Sequence, residues 1–236
     1  MSKELQATIF QKKSLSKILL MNVFFSILLS YSDLLAKEFV IALILDANVI
    51  KTNILPATKK QSVISKMSVP THLTVMWLKD LPNGYNAKVN KLQQRLQEKT
   101  QEFFTNYESQ MERTFKVVIE KVEKDAGGHI LGGIYLIPSQ QGHSVLTDLI
   151  KALKNEVIMW KNKNPAIPVN FYKYFSQEQF LPHITVLETI KADSIFPSAK
   201  AKNNYGQEID QTIQNNKPQG FGGIPVPILH TDWWVQ

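Results

Sequence analysis

The 236-residue sequence contains no cysteine. Disulfide bonds, thiol nucleophiles and sites built on cysteine ligands, such as zinc knuckles and iron–sulfur clusters, are therefore excluded. Arginine is almost absent, since Arg95 and Arg113 are the two in the chain, so a bidentate arginine clamp is not expected to be the main means of binding phosphate. No Gly-x-Ser-x-Gly sequence occurs, which argues against a serine hydrolase with a nucleophile elbow.

The chain combines an ordinary globular composition with a surplus of positive charge. Hydrophobic residues make up 44% of the sequence and charged residues 20%, which is typical of a folded protein and not of a disordered one. Lysines supply most of a formal net charge of +7. This charge favours a polyanionic partner such as nucleic acid, a nucleotide or a phosphate ester.

Residues 1–36 have the pattern of a secretory signal peptide. Four lysines precede a twelve-residue apolar run at 18–29, and small and polar residues follow as far as Ala36. The pattern fits cleavage of the signal peptide either after Ser32 or after Ala36. The apolar run is shorter than the ~20 residues that span a bilayer, so no stable membrane span is expected in the mature chain. Cleavage predicts an exported protein, periplasmic or secreted; the alternative is an uncleaved N-terminal helix on a cytoplasmic protein.

Residues 37–236 are predicted to form one folded region of strands and helices. A long polar loop or insert is expected at 191–220, which is rich in Asn, Gln, Lys and Ser. Asp46 is placed to cap a helix that Pro56 ends or kinks. Helical spacing of apolar residues predicts further helices at 86–107 and 145–160. Apolar or alternating runs predict strands at 39–45, 71–78, 115–122, 130–137, 180–187 and 224–235.

Two halves of this region share the order strand, helix, strand. The first half ends with the strand at 71–78, and the second half ends with the strand at 180–187. This order indicates an α+β protein made of two related lobes with equivalent final strands.

The final strand of each half carries the same motif. Pro70–Val75 reads Pro-Thr-His-Leu-Thr-Val and Leu181–Val186 reads Leu-Pro-His-Ile-Thr-Val, so each contains a histidine, an apolar residue and a threonine. Alternate residues of a strand point to the same face, so each histidine shares a face with its threonine. If the two strands lie side by side, two imidazoles and two hydroxyls converge on one cleft.

These four groups are suited to phosphoryl chemistry. A neutral imidazole can take a proton from water while a protonated one gives a proton to the leaving oxygen, and the pKa of histidine allows both roles near neutral pH. Threonine hydroxyls can donate to the non-bridging oxygens, where negative charge builds up. The residues alone leave open which histidine takes the proton and which gives it.

The doubled motif resembles the motifs of the 2H phosphoesterase superfamily, also called LigT-like or 2′-5′ RNA ligase-like proteins, over about residues 39–190. The resemblance implies a bilobal α+β fold, with two βαβ-containing lobes of antiparallel-rich sheet flanking a central cleft. It implies cleavage of 2′,3′-cyclic phosphates, 2′-5′ linkages or ADP-ribose cyclic phosphates, without a metal or other cofactor. By resemblance, the catalytic residues are His72, Thr74, His183 and Thr185. For hydrolysis of a 2′,3′-cyclic phosphate, we assign His183 to activation of water and His72 to protonation of the leaving ribose oxygen, and the reverse assignment stays open.

The resemblance implies partners that are RNA ends or small cyclic or 2′-5′ nucleotides. Trp77, Tyr172 and Tyr174 lie close to the motifs and are candidates for contact with a nucleobase, although each also has the ordinary interpretation of a packed aromatic side chain. Some members of the family join RNA ends reversibly, so the direction of the reaction stays open, as do the substrate and the oligomeric state. The alternative functions are a non-catalytic nucleotide- or RNA-binding protein of the same fold and an exported host-interaction protein.

Overall fold

The computed structural model describes residues 37–81, 87–111, 114–130, 132–172 and 182–235. The predicted signal segment, 1–36, lies outside these ranges. The strands are Lys37–Leu45 (β1), His72–Leu81 (β2), Lys116–Val122 (β3), Ile134–Pro138 (β4), Asn170–Phe171 (β5), Ile184–Leu187 (β6) and Ile224–Val235 (β7). The helices are Ala47–Asn53 (α1), Lys60–Lys66 (α2), Ala87–Met111 (α3), Gln140–Lys163 (α4), Thr189–Asp193 (α5) and Ala199–Asn216 (α6).

Local sequence signals account for where several helices begin. The carboxylate of Asp46 accepts a hydrogen bond of 2.9 Å from the backbone N–H of Asn48 at the start of α1, as predicted. Ser139 caps α4 in the same way, with its hydroxyl oxygen 3.3 Å from the backbone nitrogen of Gly142. Among the helices of the described ranges, none combines the length and the apolar character needed to cross a membrane.

The strands form an antiparallel sheet that closes on itself. The order β1-β7-β3-β4-β6-β2 returns to its start because β1 also pairs with β2 along its whole length, so these six strands form a barrel. The short strand β5 pairs with β2 at Leu78 and Lys79, on the edge that β6 occupies at Leu73. The fold is therefore α+β, as predicted, whereas a division into two lobes is not confirmed by this continuous sheet.

The two faces of the barrel sheet have different surroundings. In β1, Phe39, Ile41, Leu43 and Leu45 belong to the main hydrophobic core, which also includes apolar residues of the helices. The alternate residues Val40, Ala42 and Ile44 are buried but lie outside that core. Because the sheet closes into a barrel, we infer that this second face lines the barrel interior.

Of the two alternatives predicted for 191–220, the polar loop is wrong, because α6 and most of α5 lie in this segment, and the insert stays a prediction. The hydroxyl oxygen of Ser198 accepts a hydrogen bond of 3.2 Å from the backbone N–H of Ala201 and caps α6. Tyr205, Ile209 and Ile213 recur every four residues and are buried. The Asn, Gln and Lys content that suggested a loop surrounds this narrow apolar stripe, which is enough to bind the helix to the core.

Candidate active site

The two His-x-Thr motifs lie on adjacent antiparallel strands. Leu73, in the middle of the first motif, pairs with Ile184, in the middle of the second. Both of these residues are 0% exposed and belong to the hydrophobic core. Neighbouring residues of a strand point to opposite faces, so the histidine and threonine side chains of both motifs lie on the interior face of the barrel.

The antiparallel register sets the arrangement of these four side chains, all of which are half-buried. By extension of this register, His72 is placed across from Thr185, and His183, the residue just before β6, is placed across from Thr74. Directly opposite residues have Cβ atoms about 4.5–5.5 Å apart, and diagonal neighbours are about 7–8 Å apart. The imidazoles therefore occupy two diagonal corners of a four-residue patch and the hydroxyls occupy the other two. We refer to this set as the His-Thr patch.

A hydrogen bond determines which nitrogen of His72 carries the proton. Nδ1 of His72 lies 2.8 Å from the backbone carbonyl oxygen of Pro70. Because a carbonyl oxygen can only accept, Nδ1 must donate. Neutral His72 then has a lone pair on Nε2, and protonated His72 has an N–H there. The same hydrogen bond is thus compatible with Nε2 acting as a base or as an acid.

An aromatic ring contacts each histidine of the patch. The rings of His72 and Trp234 are nearly perpendicular, at 87°, with centroids 5.4 Å apart. The rings of His183 and Tyr135 meet at 75°, with centroids 5.2 Å apart. Neither aromatic residue was predicted as part of the site. Alternation along β7 and β4 assigns Trp234 and Tyr135 each to one face of its own strand. No signal in the sequence shows that this face is shared with the two motifs on other strands.

Two of the three aromatic residues predicted to bind substrate come together beside the patch. The rings of Trp77 and Tyr172 stack at 4.1 Å with only 9° between their planes. Backbone N–H of Tyr172 donates to the carbonyl oxygen of Trp77 at 2.9 Å, and the indole N–H of Trp77 donates to Oε2 of Glu38 at 2.8 Å. These contacts fix the orientation of the pair. Tyr174 lies outside the described residues.

The register of β1 and β2 places Trp77 on the same face as the patch. Ala42 pairs with Thr74, and Val40 pairs with Trp77. An irregularity in the register leaves Val75 as an extra residue between them. Because Ala42 and Val40 share a face of β1, Thr74 and Trp77 share a face of β2. Their backbone positions are then about 7 Å apart along the strand.

A cavity of about 470 Å³ lies elsewhere, and none of the four patch residues lines it. Its walls come from the end of α3, the start of β3 and the residues just before it, the start of α4 and the segment before β7, and include Tyr107, Lys116 and Phe221. Within the described part of the chain, no group of three or more His, Asp or Glu side chains is arranged to hold a metal ion.

No protein-family model matches the chain, and no curated protein matches it either. A functional assignment therefore depends on the doubled motif and on the geometry of the His-Thr patch.

Proposed function

We propose that the protein is a metal-independent phosphodiesterase of the 2H type. It opens 2′,3′-cyclic phosphates or cleaves 2′-5′ linkages in RNA or nucleotides. In this proposal the barrel corresponds to the two lobes of that family, and β2 and β6 are the equivalent strands of those lobes. The observation that carries the proposal is the pairing of Leu73 with Ile184, which brings both motifs onto one face.

The diagonal placement of the imidazoles suits an in-line displacement at phosphorus. In such a reaction the attacking and leaving oxygens lie on opposite sides of the phosphorus atom. His183 takes a proton from water as the water oxygen bonds to phosphorus. The bond from phosphorus to the ribose oxygen breaks, and Nε2 of His72 gives its proton to that oxygen. The product is a phosphate monoester, and exchange of one proton with solvent at each histidine restores the starting state.

The hydroxyls of Thr74 and Thr185 occupy the other two corners of the patch. From there they can donate hydrogen bonds to the non-bridging phosphate oxygens as negative charge increases on them. Each hydroxyl lies across from the histidine of the other motif, so a phosphate in the centre of the patch contacts all four side chains.

The stacked pair Trp77 and Tyr172 supports a substrate that contains a nucleobase. Trp77 lies about 7 Å along β2 from Thr74, which is the range over which one nucleotide extends from its phosphate to its base. Flat aromatic rings bind bases by stacking with little dependence on sequence. The basic net charge of +7 attracts an anionic substrate of this kind.

The proposal is tested by incubating the full chain with nucleoside 2′,3′-cyclic phosphates and with a 2′-5′-linked dinucleotide in the presence of EDTA. His72→Ala and His183→Ala are each expected to lower kcat by about 10²–10⁴-fold, because each removes one proton transfer. His129→Ala is the matched control, since the side chain of His129 is 67% exposed and lies outside the patch.

Turnover close to wild type in either patch variant would contradict the proposed roles. Failure of the wild-type protein to cleave any of these substrates, with retained binding of the nucleotide product, would instead favour the non-catalytic binding protein.

A further inference from the structure

Each histidine of the His-Thr patch has a second contact besides those of its own strand. Trp234 comes from β7 and Tyr135 from β4, and neither of these strands carries a His-x-Thr motif. Both contacts are edge-to-face, a favourable geometry because the positive edge of one ring meets the negative face of the other. The same type of contact therefore occurs on both sides of the patch.

A hydrogen bond alone does not fix the direction of the His72 ring. The contact from Nδ1 to the carbonyl oxygen of Pro70 holds one atom of the imidazole. The ring can still turn about its Cα–Cβ and Cβ–Cγ bonds within the range that this hydrogen bond tolerates, and such a turn changes the direction of Nε2. The perpendicular ring of Trp234 is a second contact on the same imidazole, and we infer that it narrows this range.

The register of β7 explains why Trp234, and not its neighbour, reaches His72. Trp234 pairs with Val40 on the interior face, whereas Trp233 pairs with Ile41, which belongs to the hydrophobic core on the other face. Trp233 is 47% exposed. Two adjacent tryptophans thus have opposite orientations, and one of them contacts the patch.

On the other side of the patch, a glycine makes room for the Tyr135 ring. A Cβ atom on Gly133 would lie 2.8 Å from the Oη and Cζ atoms of Tyr135, and it would also collide with the backbone carbonyl oxygen of Leu187. The absence of a side chain at this position lets the Tyr135 ring lie back along β4. In this position the ring contacts His183.

We propose that Trp234 and Tyr135 are positioning residues that hold the imidazoles of His72 and His183 in the directions needed for proton transfer. The inference rests on the proposed phosphodiesterase function for its kinetic consequences, whereas the contacts themselves can be tested without any activity. Small errors of orientation at a reacting group lower rates strongly, so removal of either ring lowers kcat although both imidazoles and both hydroxyls of the patch remain.

The main experiment compares Trp234→Leu, Trp234→Phe and Trp233→Leu in the full chain. Trp234→Leu is expected to lower kcat about 10- to 100-fold with little change in KM, because binding groups remain while alignment is lost. Trp234→Phe retains a ring and recovers most of this loss. Trp233→Leu makes the same chemical change one residue away and leaves kcat at the wild-type value. Tyr135→Leu and Tyr135→Phe repeat the comparison at His183.

Histidine ring NMR provides the readout that does not depend on turnover. Loss of the Trp234 ring current is expected to shift the Cε1–H resonance of His72 in Trp234→Leu, and Trp233→Leu leaves that resonance in place. An unshifted His72 resonance in Trp234→Leu overturns the inference even if the wild-type protein is active. Equal losses of kcat in Trp233→Leu and Trp234→Leu overturn it as well.

If the wild-type protein cleaves no phosphodiester, the proposed function fails and the resonance shifts alone decide whether the rings contact the histidines. If Trp234→Leu does not fold, the Tyr135 variants and the resonance of His183 decide the same question on the other side of the patch.

Discussion

Replacement of Tyr205 by phenylalanine is expected to stabilise the protein. Tyr205 lies on α6, is 2% exposed, and packs against Phe196 with ring centroids 4.8 Å apart. Its hydroxyl oxygen is buried, and no residue in the described ranges forms a hydrogen bond with it. In the unfolded chain this hydroxyl is hydrogen-bonded to water, so folding leaves it without bonds that it had before.

The size of the effect follows from this burial. A buried polar group without a partner lowers stability by about 1–3 kcal/mol. The Tyr205→Phe change also removes the packing of one oxygen atom, so we expect a net increase of about 1–2 kcal/mol in the free energy of unfolding. In a protein of this size, each kcal/mol raises Tm by about 2–4 °C, which gives an increase of about 2–8 °C.

The same substitution is expected to change the pH dependence of stability. Burial raises the pKa of Tyr205 above its ordinary value of 10.0. As the pH rises above 10, the phenol ionises in the unfolded chain while it stays protonated in the folded one. Unfolding then releases a proton, so wild-type stability decreases in this range. Tyr205→Phe removes this contribution, and its advantage over the wild type grows from about pH 8 to about pH 11.

Urea unfolding followed by circular dichroism at these two pH values measures both effects. Tyr107→Phe is the control, because Tyr107 is half-buried beside Phe115 and lines the cavity described above. A decrease in the free energy of unfolding of Tyr205→Phe at about pH 8 would refute the reasoning, because it would show that the hydroxyl has a bonding partner in solution.

Three further predictions concern the patch, the stacked pair and a helix cap. Thr74→Val is expected to lower kcat about 10- to 100-fold, less than either histidine variant, because it removes one hydrogen bond to a charged oxygen. Steady-state kinetics with the cyclic phosphate measure this decrease in kcat. Trp77→Leu is expected to raise KM more than it lowers kcat, and an unchanged KM would exclude base stacking there. Ser139→Ala is expected to lower the free energy of unfolding by about 0.5–2 kcal/mol, measured by urea titration, because α4 loses its cap.

Local patterns in the sequence predicted most of the individual elements. The apolar run after residue 38 corresponds to β1, the aromatic C-terminal run to β7, and the helical spacing to α3 and α4. One predicted strand boundary differs from the structure where glycine intervenes. The strand predicted at 130–137 begins only at Ile134, because Gly132 has a φ of +64°, outside the extended region.

The closure of the barrel could not be predicted from these patterns. It depends on the pairing of β1 with β2 as well as with β7, and such pairings join residues far apart in the chain. The same reason explains why the sequence predicts the patch only on the condition that the two motif strands lie side by side. The two-residue period placed each histidine beside its threonine, but the contact between Leu73 and Ile184 is non-local.

The pairing of two similar motifs on antiparallel strands has a consequence for the direction of the substrate. A rotation of 180° about an axis that passes through the centre of the patch, perpendicular to the sheet, exchanges the two motifs. The patch by itself therefore presents the same groups to the attacking oxygen and to the leaving oxygen of a phosphate. The substrate can therefore be oriented only by groups that break this symmetry. The stacked rings of Trp77 and Tyr172 lie along β2, on one side of the axis. In the proposed reaction, the side on which the base binds determines which ribose oxygen departs.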